Sequence, residues 1–287
     1  MVYIKDEQGN YIKDVLGKKW WLDNFLKENF EFILPKVSHK VAHRRSDLFI
    51  IIDGPVGSGK TTLSFQCAKW FDPTFNMSRV VFSADAFLKA LVDATPGQAV
   101  VFDEAIIVNS RSALTEFNKK VIIAMTQIRS KGLYIFFNIP SLFDLDRNLV
   151  LNRSHLLLHC FQNNFGDRGR FCVFDRDKMK MLYLKGKRLY SYGYPKANFI
   201  GNFTEYFPFN REEYEKKKQL EIAKQAKNKK RHNWLDQRNA LVKFSYTLLP
   251  KEMKVEAKWE KIAQVMGDFS FWQVKDIVYD KYSSESE

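Results

Sequence analysis

The sequence has few of the features that staple or anchor a chain. Its 287 residues contain three cysteines, Cys67, Cys160 and Cys172. An odd number without paired short spacing argues against a zinc site or a disulfide framework. Reduced, buried thiols in a cytosolic protein are expected instead. Long apolar runs are also missing. The longest stretch free of Asp, Glu, Lys and Arg is Ser154–Gly166, 13 residues, against the roughly 18 that a membrane-spanning helix needs. The N-terminus is polar by residue 7 and lacks the apolar core of a secretory signal. The expected location is therefore the cytoplasm, or a host's cytoplasm if the chain is viral. No internal repeat of solenoid period is visible.

What is present is ordinary globular composition with a strong charge bias. Hydrophobic residues make up 45% and charged residues 28%, and the net charge is +13. Such composition excludes wholesale disorder, and the charge points to a polyanionic partner. Three parts can be distinguished. Residues 1–47 form a leader, read as a helix with Trp21, Leu22, Phe25 and Leu26 near one face, ending in a basic patch at 39–45. Residues 48–208 alternate short apolar runs with helical patterns. Leu48–Asp53, Arg79–Ser83, Ala99–Asp103, Leu133–Asn138 and His155–Cys160 read as buried strands, with helices at 61–71, 84–94 and 113–131. This alternation predicts an α/β fold with a mainly parallel sheet flanked by helices. Arg170–Asp175 and Met179–Lys185 read as an added antiparallel hairpin. Residues 209–287 form a basic helical appendage.

The strongest motif is Gly54-Pro55-Val56-Gly57-Ser58-Gly59-Lys60-Thr61, which fits G-x-x-x-x-G-K-[ST] at every fixed position. A strand precedes it and a helix continues from Thr62. Glycines let successive backbone N–H groups curl around one concavity, and the helix presents its N-terminus to the same anion. Lys60 suits the β- and γ-phosphates of a nucleotide, and the Thr61 hydroxyl suits magnesium. ATP and Mg2+ are the cofactors this predicts.

A second element, Val100-Val101-Phe102-Asp103-Glu104, lies 43 residues beyond Lys60, counted to Asp103. An apolar strand ending in Asp-Glu matches a Walker B element. Parallel strands bring their C-terminal ends together, so Asp103 can reach the metal near Thr61, and Glu104 can deprotonate an attacking water. A P-loop kinase has no need of that Glu, whereas an ATP hydrolase does.

The next stretch reads as a helix ending Arg129-Ser130-Lys131-Gly132, an apolar strand with Asn138 near its tip, and a Pro140-Ser141 turn. In this order the region of about residues 48–160 resembles the additional-strand ATPases of the FtsK/HerA type. That group includes DNA-pumping motors, viral packaging ATPases and the zonula-occludens-toxin-like ATPases of phages. The resemblance implies a RecA-like P-loop NTPase fold and an oligomeric ring. It also implies a polar sensor at Asn138, where the group commonly has Gln, and an arginine acting on a neighbour's nucleotide. Arg129 is the first candidate for that arginine, followed by Arg147 and Arg153.

Between Arg211 and Lys261, 15 Lys and Arg face 8 Asp and Glu. Lys227, Lys229, Lys230 and Arg231 are candidates for phosphate-backbone contact, with DNA placed ahead of RNA. Two short helices around Gly267 could dock a protein as readily as nucleic acid. The sequence thus predicts a magnesium-dependent ATPase that translocates, packages or remodels DNA. An ATP-gated assembly switch acting on a protein is the second reading, and a P-loop kinase the third.

Overall fold

Alternate residues of a strand face opposite sides of a sheet, and here both sides are apolar. Along Leu48–Asp53, Leu48, Ile50 and Ile52 join one core while Phe49 and Ile51 join another. The computed structural model describes residues 1–37, 47–103, 118–123, 131–162, 166–250, 252–267 and 270–279, apart from the side chains at 35–37, 225–236 and 266. Two compact units are present, Met1–Glu221 and Ile222–Glu287.

The first unit opens with β1 (Val2–Tyr3) paired antiparallel to β2 (Trp21–Leu22), followed by α1 (Asn24–Val37). Trp21 and Leu22 are therefore strand residues and not the first helical turn. The Asp23 carboxylate accepts the Phe25 N–H at 3.0 Å and starts the helix there. The buried stripe is Leu22, Leu26 and Phe30, while Phe25 is 60% exposed.

Next come β3 (Leu48–Asp53), α2 (Lys60–Phe71), β4 (Val80–Val81), α3 (Ala84–Asp93) and β5 (Ala99–Asp103). A helical stretch at 118–123 precedes β6 (Tyr134–Ile139) and β7 (Leu156–Phe161). The predicted strand Arg79–Ser83 shortens to β4. Asn76 caps a 3-10 turn over Met77–Arg79, and Ser83 caps α3. Strands β3 to β7 are mutually parallel in the order β4-β5-β6-β3-β7. Strand β6 thus lies between the strand before the glycine loop and the strand ending in Asp103.

The sheet continues with β8 (Arg170–Asp175), antiparallel to β7, and β9 (Phe199–Asn202), antiparallel to β8. The hairpin partner predicted at Met179–Lys185 is instead part of α4 (Arg176–Gly186). The Asp175 carboxylate accepts the Lys178 N–H at 2.9 Å, which caps a helix immediately after the strand. Met179, Leu182, Tyr183 and Gly186 are buried at helical spacing.

Helices cover both faces. Leu26 and Phe30 of α1 pack with Leu63, Ala68 and Phe71 of α2 on one side. Phe87 and Leu91 of α3 and Met179 and Leu182 of α4 join the core on the other. Cys67 and Cys160 are buried, and all three cysteines are unpaired. Burial pushes their thiols up, that of Cys172 to about 12, so they stay protonated.

Helix α5 (Arg211–Leu248) is 38 residues long, extending well past the charged run. Within the second unit, α6 (Val255–Met266) and α7 (Phe271–Val278) follow. Gly267 turns the chain at φ 71°, and Ser270 and Gln273 form a reciprocal capping box on α7. Trp259, Ile262, Val274, Ile277 and Val242 form its core, as the two apolar stripes predict. Among the described residues, no helix is long and apolar enough to cross a membrane.

Phe136 is fully buried at the centre of the sheet. Phe136→Ala is expected to cost about 3–5 kcal/mol in denaturant unfolding. A loss below about 1 kcal/mol, the scale of a surface change, would mean the core closes over the gap.

Candidate functional site

The loop after β3 turns on glycine. Gly54 has φ 138°, and a Cβ there would stand 2.0 Å from the Cys160 carbonyl oxygen of the adjoining strand. Gly59 has φ 95°, and its Cβ would meet the Phe203 ring at 2.7 Å. The loop therefore lies close against β7 on one side and an aromatic ring on the other. Helix α2 begins at Lys60. The Lys60 ammonium folds back over the loop, donating to the carbonyls of Gly54 at 2.6 Å and Pro55 at 2.9 Å.

Strand register brings the remaining groups to this loop. Asn138 on β6 pairs with Ile52 on β3 and with Asp103 on β5. The Thr61 hydroxyl donates toward both Asp103 carboxylate oxygens at 3.2 Å. Asn138 Nδ2 donates to Asp103 Oδ1 at 3.0 Å and to Ser64 Oγ at 2.9 Å. Asn138 is 1% exposed, and its Oδ1 is buried without a hydrogen-bond partner among the described residues. The amide is thus turned onto Asp103 and away from solvent.

A cavity of about 460 Å3 opens at this point. Val56, Gly57, Gly59, Lys60, Thr61 and Thr62 line one side, with Asp103 and Pro140 at its base. The other wall is Arg168, Phe207 and the head of α5, namely Arg211, Tyr214, Glu215 and Lys218. Gln66 of α2 brings that wall into place. Its Nε2 donates to the carbonyls of Thr204 at 2.7 Å and Tyr206 at 2.8 Å, holding the segment that leads into α5. Arg211 lies over the Phe207 ring at 4.7 Å. The Tyr214 hydroxyl donates to Asp103 Oδ2. Burial, and then the Asp103 charge, push the Tyr214 phenol well above the ordinary tyrosine range, so it remains a donor.

Of the sequence-derived candidates, Gly54 to Thr62, Asp103 and Asn138 come together. Glu104 and Arg129 lie outside the described residues, as do the side chains of Lys227, Lys229, Lys230 and Arg231. Arg147 is exposed and Arg153 half-buried. The cavity-lining residues Arg168, Arg211, Tyr214 and Lys218 were not anticipated from sequence. Arg168 had a faint signal in its glycine-flanked stretch, Gly166-Asp167-Arg168-Gly169. The other three were hidden in a run that reads as a solvated charged helix.

Thr61 and Asp103 offer one hydroxyl and one carboxylate. No group of three or more His, Cys, Asp or Glu able to hold a metal is found among the described residues. That sparse oxygen set suits a hard cation such as Mg2+ that keeps most of its shell as water and phosphate.

No family model and no curated protein matches the chain. Among solved structures, the chain is similar to the N-terminal domain of zonular occludens toxin from Neisseria meningitidis. The similarity covers 59% of this chain and 98% of that one, at 19% identity and a TM-score of 0.28. Resemblance at that level is loose, and the residues of the site carry the functional reading.

Gly54→Ala places a Cβ in backbone at a φ that side chains rarely adopt. It is expected to lower stability by at least about 1–3 kcal/mol from strain alone. Thermal melting tests this, and an unchanged melting temperature would show that the loop can move off β7.

Proposed function

We propose that this chain is a magnesium-dependent ATPase that works as an oligomeric motor on nucleic acid. The observation that carries the ATPase is the meeting of Thr61 with Asp103, across 3.2 Å, beneath a glycine loop and beside Lys60. In this reading the loop amides and Lys60 bind the triphosphate, and Thr61 and Asp103 hold the metal. The metal, when bound, neutralises charge on the phosphates. Asn138 holds the Asp103 carboxylate in place. Glu104, the next residue after Asp103, takes a proton from the attacking water. Arg129 acts across a subunit boundary. The position of β6 between β3 and β5 supports an additional-strand hydrolase over a kinase.

Binding of a fluorescent ATP analogue tests the first step. Lys60→Ala is expected to weaken it at least about tenfold, the scale of a charged hydrogen bond lost. Unchanged affinity would remove the phosphate-loop reading. Glu104→Gln should keep that binding and lose hydrolysis by about a hundredfold or more, and normal turnover would take Glu104 out of its role.

The nucleic-acid part rests on the basic stretch from Arg211 to Lys261. Replacing Lys227, Lys229, Lys230 and Arg231 together with Ala should weaken duplex binding and reduce its salt slope by up to about 3.6, at about 0.9 per charge. An unchanged slope returns those charges to solubility. The second reading, an ATP-gated switch for a protein partner, is favoured by the second unit. Trp272, Val265 and Tyr279 are exposed there. Lys275, the lysine of α7, lies over the Trp259 and Trp272 rings at 5.5 and 5.1 Å. An ATPase rate indifferent to duplex DNA at low salt would favour the switch.

A further inference from the structure

Tyr214 is 111 residues from Asp103 in sequence, yet its hydroxyl donates to that carboxylate. It is 4% exposed and packed against the rings of Phe65, Phe82 and Phe207. Among the described residues, Asp103 therefore receives three side-chain donors. Asn138 reaches Oδ1 from β6, Tyr214 reaches Oδ2 from α5, and Thr61 lies 3.2 Å from both oxygens. One turn further along α5, the Lys218 ammonium donates to the Tyr214 oxygen at 3.3 Å. A cation on the phenol oxygen polarises its O–H and strengthens the donation onward.

A carboxylate that ligates a metal needs a fixed plane, because rotation about its last bond moves both oxygens. Hydrogen bonds from outside the coordination shell commonly provide that fixing. Donors on opposite oxygens of Asp103, from two unrelated elements, hold the plane more firmly than either alone.

We propose that Tyr214 is a positioning residue for the metal-binding carboxylate Asp103, with Lys218 polarising it, so that the first two turns of α5 are part of the nucleotide site. This rests on the reading of Asp103 as a magnesium ligand. The role proposed for Tyr214 is exerted through Asp103, whose carboxylate its hydroxyl reaches. The phenylalanine variant separates this task from packing, since it keeps the ring and removes the hydroxyl that donates to Asp103 and accepts from Lys218.

The test is a magnesium titration of ATP-analogue binding and of hydrolysis in the full chain, wild type against Tyr214→Phe. Half-saturating magnesium is expected to rise about tenfold in the variant. The change in half-saturating magnesium is expected to exceed any change in metal-free analogue affinity, and the melting temperature to fall by no more than the loss of one hydrogen bond costs. A magnesium dependence equal to or tighter than wild type overturns the proposal. If Tyr214→Phe does not fold, Lys218→Ala decides. It should shift half-saturating magnesium in the same direction by about threefold, the scale of one weakened hydrogen bond, and no shift overturns the proposal. A wild-type chain without magnesium-dependent nucleotide binding overturns the parent reading and this one with it. Normal wild-type binding with an unshifted variant overturns only the role of Tyr214.

Discussion

The register of one central strand fixes the whole candidate site. Asn138 on β6 stands level with Ile52 on one side and Asp103 on the other. The chain enters the glycine loop directly after Asp53, so this register sets the carboxylate opposite the first turn of α2. A slip of one residue in β6 would send every side chain to the opposite face. It would turn Asn138 away from Asp103 and exchange the two apolar cores. Phe102 and Phe137 stack at 4.6 Å, and Phe71 packs on Phe136. These contacts fit one register only, so the packing of the core and the polar geometry of the site reinforce each other.

The parts of this arrangement that were readable in the sequence are the local ones. Gly54, Gly57 and Gly59 adopt positive φ, and a loop of that kind is written by its glycines. Buried parallel strands announce themselves as short apolar runs. The segment after β8 shows how such reading fails. Met179, Met181 and Tyr183 alternate as a strand would, but Met181 is 40% and Leu184 57% exposed. The true signal was Asp175 as a cap followed by burial at helical spacing. The leader was misread for a similar reason, because Asp23 marks the helix start more sharply than the tryptophans before it. The contact between Tyr214 and Asp103 had no local signature at all. It depends on Gln66 holding the backbone of Thr204 and Tyr206, which only tertiary structure reveals.

The positive charge also divides differently in three dimensions. By sequence, Arg211, Lys217 and Lys218 belong to a basic tail. In the structure Arg211 and Lys218 line the cavity with Lys60 and Arg168. Lys217 donates to the carbonyls of Met77 and Val80 at 2.7 Å. The head of the tail is therefore committed to the α/β unit.

Helix α5 also constrains how such a chain could be rearranged in evolution. Composition suggests a seam near residue 208, where the sheet domain gives way to charged helix. A gene fusion or exchange at that seam would carry off Arg211, Tyr214 and Lys218, leaving Asp103 with one of its anchoring donors missing and the cavity with an open side. A crossover that preserves the site must fall at least two helical turns later, inside a continuous helix, where the donor sequence must match the helical phase. The appendage is thus harder to swap than its composition implies. Descendants of such a chain would be expected to diversify at the far end of the helix while keeping its first turns with the sheet.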